Sequence, residues 1–161
     1  MAQGISNLKV YDRIVYKGQD QAAKLLEGDY YERHFVIVRT RIGHPCAYIE
    51  TKPDDWACTQ ELDDKWTEKY ELFDVDVHGG ATYYGNLSHW GDDDRTYLGW
   101  DYAHSGDYDC YSALYCDESD GHKWTLLEML MDVAKAYDGI MRQNDDHWEE
   151  THAFPVERDG T

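Results

Sequence analysis

The chain contains several short segments in which apolar and polar residues alternate with the two-residue period of a β-strand. Residues 34–40 read HFVIVRT and are rich in β-branched side chains, residues 73–80 read FDVDVHGG, and residues 97–104 read YLGWDYAH. A turn candidate at residues 42–45 separates the first of these from a further strand at residues 46–50. The sequence therefore predicts an antiparallel sheet, in which residues 73–84 and 95–102 form two strands separated by the polar tip at 89–94.

Two longer segments have the spacing of amphipathic helices. The predicted helix 123–141 has an apolar stripe made of Trp124, Leu127, Met131, Ala134 and Tyr137, and Leu126, Leu130 and Val133 widen it. The predicted helix 54–72 has an apolar residue at every fourth position, namely Cys58, Leu62, Trp66 and Tyr70. A short helix is also predicted over residues 19–27, because Gly28 stands where a C-cap glycine belongs.

These elements define the expected fold. A chain of 161 residues has the size of one domain. We predict an α+β domain over residues 1–143, with an antiparallel sheet of about four to five strands and two main helices packed on one face. Residues 144–161 are acidic and are predicted to form a loosely held tail.

The net charge restricts the partners of the protein. The chain has 33 acidic and 15 basic residues, which gives a formal net charge of −18 at pH 7. Such a surface repels the phosphates of nucleic acids and of anionic membranes, so we expect a basic protein as the partner. The N-terminus lacks the layout of a signal peptide, and no apolar run approaches the roughly 20 residues of a membrane span. We therefore expect a cytoplasmic protein.

Two acidic segments are candidates for the contact with that partner. The predicted helix 54–72 carries carboxylates at spacings of three and four residues, and residues 89–94 form a polar loop tip. Carboxylates in such an array can imitate DNA phosphates, and tryptophan is common at interface hot spots. The alternatives are a solvated helix face and a tryptophan that packs its own turn. The candidate partner-binding residues are Glu61, Asp64, Glu68, Glu71, Trp90, Asp92, Asp93 and Asp94.

Histidines and aspartates concentrate on two of the predicted strands. Asp101, His104 and Asp107 follow one another at three-residue intervals, and His78 shares the polar face of the other strand with Asp76. Pairing of these strands would bring the two groups together. Glycines nearby permit positive φ or a close backbone approach, so the candidate ligand-binding loop consists of Gly79, Gly80 and Gly106.

This cluster has three interpretations. In acid–base catalysis, a carboxylate fixes the tautomer of a histidine, and the candidate catalytic residues are His78, Asp101, His104 and Asp107. In a Zn²⁺, Mn²⁺ or Fe²⁺ site, His78 and His104 are ligands, Asp107 or Asp101 is the third, and a bound water is the nucleophile. In a structural role, the same groups bond each other and the loop backbone. The sequence does not decide among these interpretations, so it does not establish whether the protein binds a divalent metal as a cofactor.

Three strings and the C-terminal amphipathic helix occur in the order seen in a known family. HPCAYIE at residues 44–50, VHGGATYYG at 77–85 and YLGWDYAHSGD at 97–107 resemble small proteins carried by bacteriophages, prophages and their hosts. The chain departs from the family pattern at Ala47, Ala81 and Trp100, and the acidic segment 54–72 replaces a shorter loop. The matching positions are Cys46, Tyr48, His78, Gly79, Gly80, Thr82, Gly99, Asp101, Ala103, His104 and Asp107.

That family has no assigned activity, so the resemblance implies a mobile-element origin and a host-cell cytoplasm but no reaction. Two functions follow as expectations. One is a phage accessory protein of the anti-CRISPR or anti-restriction type, whose acidic face covers a basic, nucleic-acid-binding surface of a host protein. The other is a metal-dependent or His/Asp acid–base enzyme, or a binder of a small ligand such as a nucleotide, built on the His78, Asp101, His104 and Asp107 cluster.

Overall fold

The structure, a computed structural model, describes residues 3–14, 22–41, 43–108 and 121–151. Within these ranges the strands are β1 Ile5–Val10, β2 Ala23–Tyr30, β3 Arg33–Arg39, β4 Pro45–Thr51, β5 Tyr83–Leu87 and β6 Asp92–Asp101. The helices are α1 Trp56–Thr59, α2 Leu126–Asp146 and α3 Trp148–Thr151, with 3₁₀ turns at Lys69–Leu72 and Ser88–Trp90. The six described strands form one antiparallel sheet in the order β1-β2-β3-β4-β6-β5. The predicted α+β class is confirmed, with more strands than expected and one main helix instead of two.

The central strand β3 is buried on both faces of the sheet. Phe35 and Ile37 belong to the main core, together with the α2 residues Met129, Val133, Ala136 and Ile140. Val36 and Val38 point the other way and belong to a smaller cluster with Cys46, Leu87 and Tyr97. A strand covered on both faces reads as a continuous apolar run, which explains the FVIV string.

Helix α2 begins with a capping box. The side chain of Thr125 accepts a hydrogen bond from the N–H of Glu128, and the Glu128 carboxylate accepts one from the N–H of Thr125. The predicted apolar stripe of this helix is wrong at two positions, since Leu127 is 57% exposed and Met131 is 47% exposed, whereas Val133 is buried in the core. Apolar residues cover much of the helix circumference near its start, so the periodicity alone did not define which face is buried.

The predicted helix over residues 54–72 is wrong. Only α1 and a 3₁₀ turn form there, and Leu62 and Trp66 are 41% and 79% exposed instead of facing the core. The carboxylate of Asp64 accepts a hydrogen bond from the N–H of Trp66 at 2.8 Å, a local bond that competes with helix formation. The acidic stripe therefore lies on an irregular segment and not on a helix face.

Two further predictions are corrected. Residues 23–27, predicted as helix, lie in β2, where pairing with β1 and β3 satisfies their backbone groups. Residues 73–82 are not a strand, and β6 pairs instead with β5. In both places, pairing with distant segments decides the local structure.

The C-terminal part of the described chain is helical. Residues 144–146 end α2 and residues 148–151 form α3, while the rest of the predicted tail, residues 152–161, lies outside the described residues. None of the helices in the described ranges combines the length and the apolar character needed to cross a membrane.

Candidate functional site

The four candidate catalytic side chains come together as two His–Asp pairs. Nε2 of His78 lies 2.7 Å from Oδ2 of Asp107, and Nε2 of His104 lies 3.1 Å from Oδ1 of Asp101. The centroids of the two imidazole rings are 5.3 Å apart. The structure thus places all four residues in one cluster, which we call the His–Asp cluster.

Turns assemble this cluster, not the strand pairing that the sequence predicted. The N–H of Gly80 donates to the carbonyl oxygen of Val77 at 2.9 Å, which closes a tight turn around His78. The N–H of Asp107 donates to the carbonyl oxygen of His104 at 2.9 Å, which closes a second turn at the end of β6. Asp76 is exposed and does not join the two pairs.

Asp107 is the polar centre of the cluster. Besides the contact with His78, its carboxylate accepts hydrogen bonds from the N–H of His104 and the indole N–H of Trp124, both at 2.8 Å. Its side chain is 4% exposed. Burial opposes the ionised form, but the hydrogen bonds from His104, His78 and Trp124 outweigh it and lower the pKa of Asp107. An ionised Asp107 accepts a hydrogen bond from the Nε2–H group of His78, and in the neutral ring this leaves the lone pair on Nδ1.

Gly79 packs directly against His104. Its φ is 70°, and a Cβ at this position would lie 2.2 Å from Nε2 of His104. That nitrogen is buried and, among the described residues, has no hydrogen-bond partner, because its approach to Asp101 lacks hydrogen-bond geometry. Gly80 and Gly106 also have positive φ, at 78° and 93°, with open space around them. Of these three glycines, Gly79 alone is required by a close approach.

Sequence reasoning missed the aromatic residues that hold His78. Its ring lies parallel to that of Tyr102 with centroids 5.4 Å apart, and 4.4 Å from the ring of Trp124. The Tyr102 hydroxyl donates to the buried carboxylate of Asp132 at 2.8 Å and accepts from the indole N–H of Trp100 at 2.9 Å. The sequence analysis placed Trp124 in an apolar stripe, although buried Tyr and Trp need partners for their polar atoms.

A cleft borders the His–Asp cluster. The cleft has a volume of about 340 Å³ and is lined by Asp76, Val77, His78, Trp124, Glu128, Met131, Asp132 and Lys135. This volume is within the range of small-ligand sites.

His44 is half-buried near the His–Asp cluster. Burial lowers the pKa of His44, and the negative charges of Asp101 and Asp107 oppose this shift. No motif signal had selected His44.

The side chains as placed do not fit the metal site considered from the sequence. Among the described residues, no group of three or more His, Cys, Asp or Glu side chains is arranged to hold a metal ion. Nε2 of His78 faces Asp107, whose oxygens already accept hydrogen bonds, and Nε2 of His104 is enclosed by Gly79. The predicted metal ligands therefore form hydrogen bonds with one another and do not converge on one position where a metal ion could bind.

The acidic segment after β4 packs onto the C-terminal end of α2 and onto α3. The N–H of Trp56 donates to the side-chain oxygen of Asn144 at 2.8 Å. The Trp56 ring stacks on His147 with centroids 4.0 Å apart, and its indole N–H donates to Glu150 at 2.8 Å. A single tryptophan thus connects two parts of the chain that are far apart in sequence.

Asp55 fixes the same segment to the sheet. Its two carboxylate oxygens each lie 2.7 Å from the guanidinium of Arg33, and the two side chains are 1% and 3% exposed. The carboxylate also accepts from the N–H of Lys52 and from the amide of Asn144, both at 2.8 Å. Because these bonds occupy Asp55, it does not cap α1.

The fold therefore joins two acid-rich stretches into one region, which we call the acidic surface. Residues 54–74 and 142–150 contain twelve acidic and three basic side chains. All of these acids except Asp55 are exposed: Asp54, Glu61, Asp63, Asp64, Glu68, Glu71, Asp74, Asp145, Asp146, Glu149 and Glu150. Four of the predicted partner-binding residues, Glu61, Asp64, Glu68 and Glu71, belong to this surface.

Two members of the other predicted partner-binding group are engaged within the protein and two are exposed. Asp92 is half-buried and binds Arg95 at 2.6 Å and the Tyr97 hydroxyl at 2.7 Å. Trp90 is half-buried against the smaller apolar cluster, so the turn-packing interpretation fits it better than an exposed anchor. Asp93 and Asp94 are exposed.

Comparisons with known proteins identify no relative of this chain. No family model, no curated protein and no solved structure matches the chain, so the resemblance to the phage-borne family stays a prediction.

Proposed function

We propose that this protein binds a basic protein through the acidic surface and acts as a phage or mobile-element inhibitor of a host defence protein. The observation that supports this most is the packing of the segment around Trp56 onto α2 and α3, which gathers eleven exposed carboxylates from two separate stretches. A surface of this kind suits the basic, nucleic-acid-binding face of a partner.

Few cations neutralise this surface from within. The ammonium of Lys69 is used by the carbonyl oxygens of Cys58 and Gln60, and that of Lys65 lies over the ring of Trp66 at 5.1 Å. The remaining like charges repel each other, and a basic partner relieves this repulsion. Association of such a pair is fast at low salt and weakens as the ionic strength rises.

The experiment compares two variants of equal net charge. Glu61→Gln/Glu68→Gln/Glu71→Gln removes three carboxylates from the acidic surface and leaves the Asp64 turn intact, while Asp12→Asn/Asp76→Asn/Asp93→Asn removes three exposed charges elsewhere. Each immobilised protein captures partners from bacterial lysate at low and high salt. We expect salt-sensitive capture by the wild type and the second variant only, and displacement of the captured protein by duplex DNA. Equal capture by both variants, or capture that ignores salt, contradicts the proposal.

A second candidate function rests on the contact between His78 and Asp107. An oriented imidazole beside a cleft of about 340 Å³ suits acid–base chemistry on a small ligand or its binding. Asp107 holds the ring and Trp124 forms a wall against which a planar ligand can stack.

Nitrogen-15 NMR of the histidine rings tests this second candidate. In the wild type, mononucleotides added one at a time should shift the ring signals of His78 and the indole signal of Trp124. Asp107→Asn should change the tautomer of His78 and abolish the response, whereas Asp93→Asn should leave both unchanged. A wild type that responds to no mononucleotide would remove the nucleotide-binding version.

A further inference from the structure

We infer that Trp66 is the anchor by which the acidic surface recognises its partner, and that the partner carries an apolar pocket flanked by Lys or Arg. This inference rests on the proposed function, since it specifies the chemistry of the partner's surface. It differs from the sequence prediction, which placed the anchor at Trp90.

Trp66 stands out by its exposure. It is 79% exposed, the largest fraction among the exposed large hydrophobic side chains in the described part of the chain. Trp148 is 41% exposed, and Trp100 is fully enclosed in the core at 1%. A tryptophan left in water gives up the large apolar burial that this side chain offers, which points to burial against another molecule.

The loop that carries Trp66 is held in place before any partner arrives. The N–H of Trp66 donates to the carboxylate of Asp64 at 2.8 Å, and the N–H of Thr67 donates to the carbonyl oxygen of Asp64 at 3.2 Å. Lys69 ties the start of the loop by donating to the carbonyl oxygens of Cys58, at 3.2 Å, and Gln60. A preorganised anchor loses little conformational freedom on binding.

The neighbours of Trp66 define the partner. Glu61, Asp63, Asp64 and Glu68 are all exposed within five positions of it, so the rim of the receiving pocket must be cationic. That stretch has two lysines: the ammonium of Lys69 binds the carbonyl oxygens of Cys58 and Gln60, and that of Lys65 lies 5.1 Å from the ring centroid of Trp66. A central aromatic side chain inside a charged rim is the arrangement of interface hot spots. A nucleic acid is excluded as occupant because its phosphates repel the same rim.

Two synthetic peptides with the same number of arginines test the inference. One alternates arginine with leucine and offers apolar contact; the other alternates arginine with glycine and offers charge alone. Binding is followed by fluorescence anisotropy of the labelled peptides. We expect the wild type to bind the leucine peptide at least about tenfold more tightly than the glycine peptide. Trp66→Ala should remove that preference and keep the weaker binding of the glycine peptide.

Leu127→Ala is the matched control, because Leu127 is also exposed, at 57%, but lies at the start of α2, away from the acidic surface. It should keep the preference for the leucine peptide. A preference that survives Trp66→Ala, or that Leu127→Ala also removes, overturns the anchor. If neither peptide binds the wild type, or if Glu61→Gln/Glu68→Gln/Glu71→Gln leaves the glycine peptide bound, the proposed function itself fails.

Discussion

Replacing Gly79 by alanine lowers the free energy of unfolding through two separable effects. The φ of 70° at this position costs an L-residue about 1–2 kcal/mol. The new Cβ would lie 2.2 Å from Nε2 of His104, so the ring must shift, and overpacking of this kind costs about 1–3 kcal/mol. We therefore expect Gly79→Ala to lower the free energy of unfolding by about 2–5 kcal/mol. Gly80→Ala should cost only about 1–2 kcal/mol, because its φ is 78° and nothing lies within 4 Å.

Urea denaturation measures both variants, and a double variant isolates the contact. In Gly79→Ala/His104→Ala the overlap disappears, so the two substitutions should be less than additive by about 1–3 kcal/mol. Destabilisation of Gly79→Ala and Gly80→Ala that agrees within about 0.5 kcal/mol would refute the close packing of Gly79 on His104.

Three further predictions concern the buried pair, the helix cap and Asp107. Asp55→Asn removes the buried ionic partner of Arg33 and leaves only the half-exposed carboxylate of Glu32 near its guanidinium, so urea titration should show a loss of about 3–5 kcal/mol; a loss below about 1 kcal/mol would mean that water solvates the pair. Thr125→Ala removes the capping box of α2, and thermal unfolding followed by circular dichroism should show a loss of about 1 kcal/mol; an unchanged Tm would contradict the cap. The lowered pKa of Asp107 stabilises the fold above the pKa of an unfolded aspartate, about 3.9, and this contribution is lost as the pH falls through the lower folded value. Between about pH 5 and pH 2, the Tm of Asp107→Asn should therefore fall less than that of the wild type, and parallel curves would count against the hydrogen bonds of Asp107.

The strands could be predicted wherever local pattern and tertiary pairing agree. Residues 34–40 and 97–104 combine alternation with β-branched or aromatic side chains, and β3 and β6 form there. The helix predicted over residues 54–72 does not form, and the hydrophobic periodicity of the segment does not reveal why. Arg33, distant in sequence, binds the carboxylate of Asp55, and the helix that starts at Trp56 has no side-chain cap hydrogen bond and spans four residues.

The residues of the His–Asp cluster were predictable, and their geometry was not. The three-residue spacing of Asp101, His104 and Asp107 already selected the loop that closes on His78. The expected strand pairing is replaced by a turn at Gly79, so residue types and spacing identified the members while tertiary contacts determined the arrangement. Trp124 was missed because its indole N–H, which binds Asp107, leaves no signature in an apolar pattern.

The two candidate functions occupy opposite ends of α2. Trp124, which binds Asp107, directly precedes the helix, whereas Asn144, which binds Trp56, lies in its last turn. At 1.5 Å per residue, the start of α2 and Asn144 are about 27 Å apart. Among the described residues, no hydrogen bond or common partner joins Trp66 to Asp107, and substitutions at sites without a shared partner act independently. Loss of partner capture in Trp66→Ala should therefore leave any ligand response of His78 unchanged, and Asp107→Asn should leave partner capture unchanged. If either substitution impairs both readouts while the protein stays folded, the two surfaces serve one function and the separation argued from α2 is wrong.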